Sequence, residues 1–237
     1  MKTLLTKITI ATVAGAALSL GVMDVNPAQA DTVIDTTPSW DGTSEITIFG
    51  EPDTATYGQT FTVGSDNILN DFTFFLNDFS DPDAIDFAAY VMAWDGTKAT
   101  GSILYQSGPQ STTGASGMEQ FTFNTGGISL TSGQKYVAFL SASNFFDGID
   151  GLGSMGLPFS DVYAGGDFVY YNNGSDFSAL TTNGWDCTEC GFGDAAFKAT
   201  FTSAQSVPEP ASVLGLLTVS ALGTAAKFKG NKKEKAE

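Results

Sequence analysis

The chain contains no histidine and no arginine among its 237 residues, and only two cysteines. Without imidazole there is no Ser-His-Asp or Cys-His nucleophile system, no histidine zinc site and no histidine acid/base chemistry. Without guanidinium there is no bidentate clamp for phosphate or carboxylate. Two cysteines are too few for a disulfide-rich scaffold. Positive charge is scarce as well: ten lysines stand against 26 acids, a formal net charge of −16. The chain is nevertheless 42% hydrophobic and 12% aromatic, too apolar to stay unfolded. Its length suits one β domain flanked by processing segments.

The two ends read as addresses. Met1 to Lys7 carries two lysines, Ile8 to Val22 is mainly apolar, and Ala28-Gln29-Ala30 follows Pro27. This is the basic, apolar and small-x-small order of an export signal, and it predicts cleavage between Ala30 and Asp31. At the other end, Val207-Pro208-Glu209-Pro210 precedes a charge-free run over 211–226 and a lysine-rich tail over 227–237. Prolines stop a strand and suit the first turn of a helix. As a helix the apolar run would span about 24 Å, short of the ~30 Å hydrocarbon core, so it fits a temporary anchor. The lysines would stay cytoplasmic and leave everything before Val207 outside the inner membrane.

The order and spacing of residues 207–237 resemble the PEP-CTERM sorting signal: a Pro-Glu-Pro motif, a short transmembrane helix and a basic end. Here the basic end is all lysine and is interrupted by Glu234. The resemblance implies processing by an exosortase, a membrane transpeptidase. It also implies delivery to the cell surface or the extracellular polysaccharide matrix of a Gram-negative bacterium.

Between these ends, residues 31–206 hold all the acids except Asp24, Glu209, Glu234 and Glu237, and three lysines (Lys98, Lys135 and Lys198), a net charge of −19. Nucleic acid and anionic membrane surfaces are therefore excluded as expected partners. Apolar groups alternate in Phe61-x-Val63, Phe72-x-Phe74-x-Leu76, Phe121-x-Phe123, Tyr136-x-Ala138-x-Leu140 and Phe168-x-Tyr170. Ile85 to Trp94 is apolar on both faces except at Asp86, as a central strand would be. The pattern predicts strands over 45–49, 57–63, 68–76, 85–94, 102–107, 119–124, 135–142, 167–172 and 194–202. Turn signals at Asp95-Gly96, Asn172-Asn173-Gly174 and Asn183-Gly184 separate some of them. The expected fold is all-β, a jelly-roll-like β-sandwich, with 144–166 a long loop at one end. The stretches 57–63, 90–101, 123–137, 171–177 and 196–201, together with Trp185, resemble a module found ahead of the same sorting tail in other surface proteins. No activity comes with that likeness.

Candidate chemistry is thin. In an exported protein Cys187-x-x-Cys190 reads first as a local disulfide, and zinc would lack two ligands. Asp78, Asp81, Asp83 and Asp86 form one acid cluster, and Asp147 and Asp150 another among glycines. Such loops leave open a structural Ca²⁺, which needs about six to eight oxygen ligands. Paired carboxylates drawn from Glu45, Glu51, Glu119, Glu189 and the aspartates leave open a glycan hydrolase. Trp94, Tyr163, Tyr171 and Trp185 fall at strand ends or in loops and offer flat rings to a sugar. The favoured expectation is a non-catalytic surface or matrix protein whose sandwich acts as a spacer, an adhesin or an exopolysaccharide-binding module and needs no cofactor. A secreted hydrolase and a Ca²⁺-dependent adhesin are the alternatives.

Overall fold

In the computed structural model the described residues are 31–80, 83–186 and 190–204. The expected export signal (1–30) and the sorting motif, apolar helix and lysine tail (207–237) lie outside them. Among the described residues no helix is long and apolar enough to cross a membrane.

Two antiparallel sheets stack face to face. The first joins β1 (Thr32–Asp35), β12 (Lys198–Thr202), β4 (Ile68–Asn77), β10 (Gly151–Gly156) and β2 (Glu45–Glu51) in that order, and β8 (Glu119–Ser129) pairs along β4. The second runs β11 (Phe168–Tyr171), β3 (Thr56–Thr62), β9 (Lys135–Ser141), β5 (Asp86–Trp94) and β6 (Ala99–Gln106), with β7 (Gln110–Ser111) also on β5. The alternation read from sequence explains the interface between the sheets. Phe72, Phe74 and Leu76 of β4 meet Phe87, Ala89 and Val91 of β5 and Ala138 and Leu140 of β9 in one buried cluster. Leu69 joins them because pairing with β12 skips Asn70, and the bulge turns Leu69 and Phe72, three positions apart, to the same side.

The second sheet is covered on its outer face as well. Ala88, Tyr90, Met92 and Trp94 of β5 and Val137 and Phe139 of β9 pack there beneath Leu180 and Trp185. Leu180 belongs to the single-turn helix α1 (Ala179–Thr182), and the Trp185 indole N–H caps it by donating to the Leu180 carbonyl at 3.0 Å. Trp94 and Trp185 meet edge to face at 5.2 Å. This second apolar layer is why β5 is hydrophobic on both faces.

All nine expected strands are present, though β8 runs on to Ser129, five residues past its expected end, and the short strands β1 and β7 were not expected. Two further departures concern the glycine-rich segments. The expected loop 144–166 contains β10, a strand inside the first sheet between β4 and β2. Its glycines read as loop signals, yet they are there for close approach. A Cβ on Gly153 would lie 2.5 Å from the Asn77 carbonyl oxygen, and one on Gly156 would lie 2.6 Å from the Trp40 ring. The expected strand 194–202 is regular only from Lys198. Before that, the N–H groups of residues 194–197 donate in turn to Ser160, Gln59, Gly156 and Thr36 and so bridge several elements.

Candidate functional site

The sandwich is open along the side where β2 edges the first sheet and β11 edges the second. A cleft of about 740 Å³ lies between them. Ile46, Thr47 and Ile48 of β2 form one wall; Tyr170 of β11, Asn172 and Asp186 form the other, with Phe192, Thr54 and Tyr57 between. Tyr57 is almost fully buried and donates its hydroxyl to the Thr47 carbonyl at 2.5 Å, which ties β2 to β3, the strand beside β11. Burial of that phenol pushes its pKa well above the ordinary tyrosine value, so it keeps the proton it donates.

Local backbone chemistry shapes both walls. Pairing of β2 with β10 skips Ile48, which bulges out of the ladder with φ of +73° and is 46% exposed. A β-branched residue rarely adopts that conformation. It is held by Thr54, whose N–H donates to the Ile48 carbonyl at 3.2 Å while the Thr54 carbonyl accepts from Gly50 at 3.1 Å. On the facing wall the Asn172 N–H donates to Asp186 Oδ2 at 2.7 Å, and the Asn172 amide donates to Asp53 at 3.4 Å. Tyr170 continues inward as a run of rings: it lies 6.1 Å from Tyr57 and 6.2 Å from Phe168, and Phe168 lies 6.3 Å from Phe192. Half-buried rings beside an amide and a carboxylate make a surface that stacks on an apolar face and bonds to hydroxyl groups at its edge.

No family model matches the chain, and no curated protein matches it. A solved structure, that of the cysteine protease and lectin-like domains of Cwp84, a surface layer associated protein of Clostridium difficile, is similar over 68% of this chain and 36% of its own. The sequence identity is 12% and the TM-score 0.41. The chain thus spans about a third of that structure, and a likeness so slight carries neither function nor site residues across.

The residues singled out from sequence are distributed differently. Trp94 and Trp185 are buried in the outer apolar layer, and Tyr171 packs against it. Tyr163 is half-buried and bonds through its hydroxyl to the Thr62 backbone. None of these four lines the cleft, whose rings are Tyr57, Tyr170 and Phe192. Tyr170 sat in a predicted strand and Phe192 in a glycine-rich loop, and neither position marks a shared surface. Cys190 is disulfide-bonded, whereas Cys187 and Glu189 lie outside the described residues.

Members of the two acid clusters meet at one small cavity. Asp83, Asp86, Asp147 and Glu51 surround a cavity of about 20 Å³, room for one water. Their oxygens serve local donors. Glu51 accepts the N–H groups of Asp147 at 2.8 Å and Gly148 at 3.1 Å, Asp147 accepts that of Ile149 at 2.9 Å, and Asp86 accepts the Ser111 hydroxyl. Asp78 is fully buried and accepts from Ser80 and Gly114, while Asp81 lies outside the described residues. Among the described residues no group of three or more acids or cysteines is placed to hold a metal ion. Glu45 and Glu119 bond to Ser154 and Thr113, far from one another in the strand order.

Proposed function

We propose that this is a non-catalytic exported protein of the cell surface or extracellular matrix, sorted through its C-terminal signal, whose sandwich binds polysaccharide in the cleft between β2 and β11. The export and sorting parts rest on residues 1–30 and 207–237, and a jelly-roll-like domain fits that setting. The binding part rests on one observation: an open trough that places the half-buried Tyr170 and Phe192 rings beside Asn172 and Asp186. An extended chain of sugars fits an open trough better than a closed pocket, and ring faces with flanking polar groups suit its alternating apolar and hydroxyl surfaces.

Cleavage of a glycan by two carboxylates would need a pair about 5–10 Å apart across the bond. Among the described residues lining the cleft Asp186 is the one acid, and Asp53, which accepts from the same Asn172, does not line it. Binding without cleavage is the reading this lining supports.

Two measurements test this. Mass spectrometry of the mature product is expected to find Asp31 at the N-terminus and no lysine tail; an intact tail would refute the sorting. Titration with a panel of neutral, amino and acidic oligosaccharides is expected to find a ligand whose affinity falls about tenfold (~1.4 kcal/mol) in Tyr170→Ala. Absence of binding to every class would refute the cleft as a sugar site.

A further inference from the structure

Resting on that reading, we infer that the cleft selects cationic polysaccharide: a chain of amino sugars with free ammonium groups. The charge layout carries the inference. Asp186 contributes a carboxylate to the wall, and Asp53 stands one hydrogen bond away through Asn172. Among the described residues no lysine lines the cleft. Of the three in residues 31–206, Lys198 pairs with Asp35 at 3.4 Å and Lys98 donates to the Thr182 carbonyl at 3.3 Å. Lys135 begins β9, which is separated from β11 by β3.

An acidic sugar chain would therefore meet a negative wall with nothing to neutralise it. A neutral one would gain stacking and hydroxyl bonds alone. An ammonium group on a ring stacked against Tyr170 would add a charge-assisted bond to Asp186, whose Oδ2 already holds the Asn172 N–H in a fixed orientation. The surrounding net charge of −19 raises the local concentration of any polycation and speeds its capture. Peptide capture by strand addition is disfavoured at the middle of this wall, because the Ile48 carbonyl is taken by Thr54 and the bulge breaks the edge.

The test uses the full-length chain in mild detergent, titrated with three six-sugar probes: β-1,4-linked glucosamine, its fully N-acetylated form, and galacturonic acid. The glucosamine probe is expected to bind at least about tenfold more tightly than the acetylated one, and galacturonate is expected not to bind. In Asp186→Asn the preference for glucosamine over the acetylated probe is expected to shrink about fivefold. In Tyr170→Ala both affinities are expected to fall. Equal or tighter binding of the acetylated probe, lost in Tyr170→Ala, would overturn the cationic selectivity and leave the cleft as a sugar site. Glucosamine binding that ignores both substitutions and vanishes at ~0.5 M salt would be capture by the general negative field, and would also overturn it. Failure of all three probes would overturn this inference together with the sugar-binding reading.

Discussion

The Gln59 side-chain amide donates to Asp194 at 2.7 Å across 135 positions of sequence, and both side chains are fully buried. Gln59 also accepts the Ala195 N–H at 2.8 Å, and the second Asp194 oxygen accepts the N–H groups of Val162 and Tyr163, each at 2.8 Å. One polar node thus pins the 160–163 loop and the 194–197 connection to β3, next to the segment that carries Phe192. Burial pushes the Asp194 carboxyl above the ordinary carboxylate range, against the N–H bonds that pull it down. Asp194→Ala leaves several donors buried without an acceptor, and a loss of about 2–4 kcal/mol is expected in denaturant unfolding. A loss below about 1 kcal/mol would show that water replaces the carboxylate.

Acid response follows from exposed turns. Asp41 accepts the N–H groups of Ser44 and Thr43, Asp95 those of Thr97 and Lys98, and Asp176 those of Ser178 and Ala179. For Asp41 and Asp95 the leading cause is a backbone N–H bond, from Ser44 and Thr97 respectively; for Asp176 it is the Ser178 hydroxyl, and all three carboxyls are held below the usual range. A depressed folded-state value contributes stability that is complete above the unfolded value of about 3.9 and is lost as pH falls through the folded one. Asp194 has the opposite sign, its share fading as pH rises above about 3.9. The melting temperature is expected to drop from pH 4 downward, with a shallower slope in Asp95→Asn. An unchanged slope would remove the turn from the explanation.

The outer apolar layer makes a separate prediction. Trp185→Ala removes the ring that covers Trp94 and Phe139, at 5.2 Å and 5.5 Å, and a cost of about 3–5 kcal/mol is expected. Near-ultraviolet dichroism should lose the contribution of the Trp94–Trp185 pair. Retention of full stability would mean that residues 172–186 do not protect the second sheet.

Gly153→Ala places a methyl 2.5 Å from the Asn77 carbonyl oxygen and from Ile85 Cδ1, inside the first sheet. A destabilisation of about 1–3 kcal/mol is expected from the forced backbone shift. Stability at the parent level would show that β10 is not held between β4 and β2.

Ile48→Gly should act in two directions. It relieves a positive-φ β-branched residue, and a gain of about 1 kcal/mol in stability is expected. It also removes one wall of the cleft, so the affinity for any sugar ligand should fall in the same variant. A rise in both would separate Ile48 from the site.

Much of the fold was legible because alternation is a local signal. Phe72-x-Phe74-x-Leu76 must put three side chains on one face of an extended chain whatever the partner. β10 was not legible, because Gly-Leu-Gly-Ser-Met-Gly carries no side-chain pattern and its pairing is fixed by Glu45–Glu51 and Asn77 far away in sequence. Asp83, Asp86 and Asp147 read as possible ion ligands, and the structure shows Asp86 and Asp147 accepting hydroxyl and N–H donors, contacts that depend on partners no local pattern reveals.

Sequence alone determined the acidic balance, the missing imidazole and guanidinium chemistry, and the all-β character. Each of these depends on residue type and short spacing. Tertiary structure decided the outer apolar layer over β5 and β9, the retreat of Trp94 and Trp185 from solvent, and the cleft that unites Ile48, Tyr170, Asn172, Asp186 and Phe192. Those residues are separated by up to 144 positions, from Ile48 to Phe192. They meet because two sheets of fixed twist and spacing part at the edges β2 and β11, a relationship no local pattern encodes.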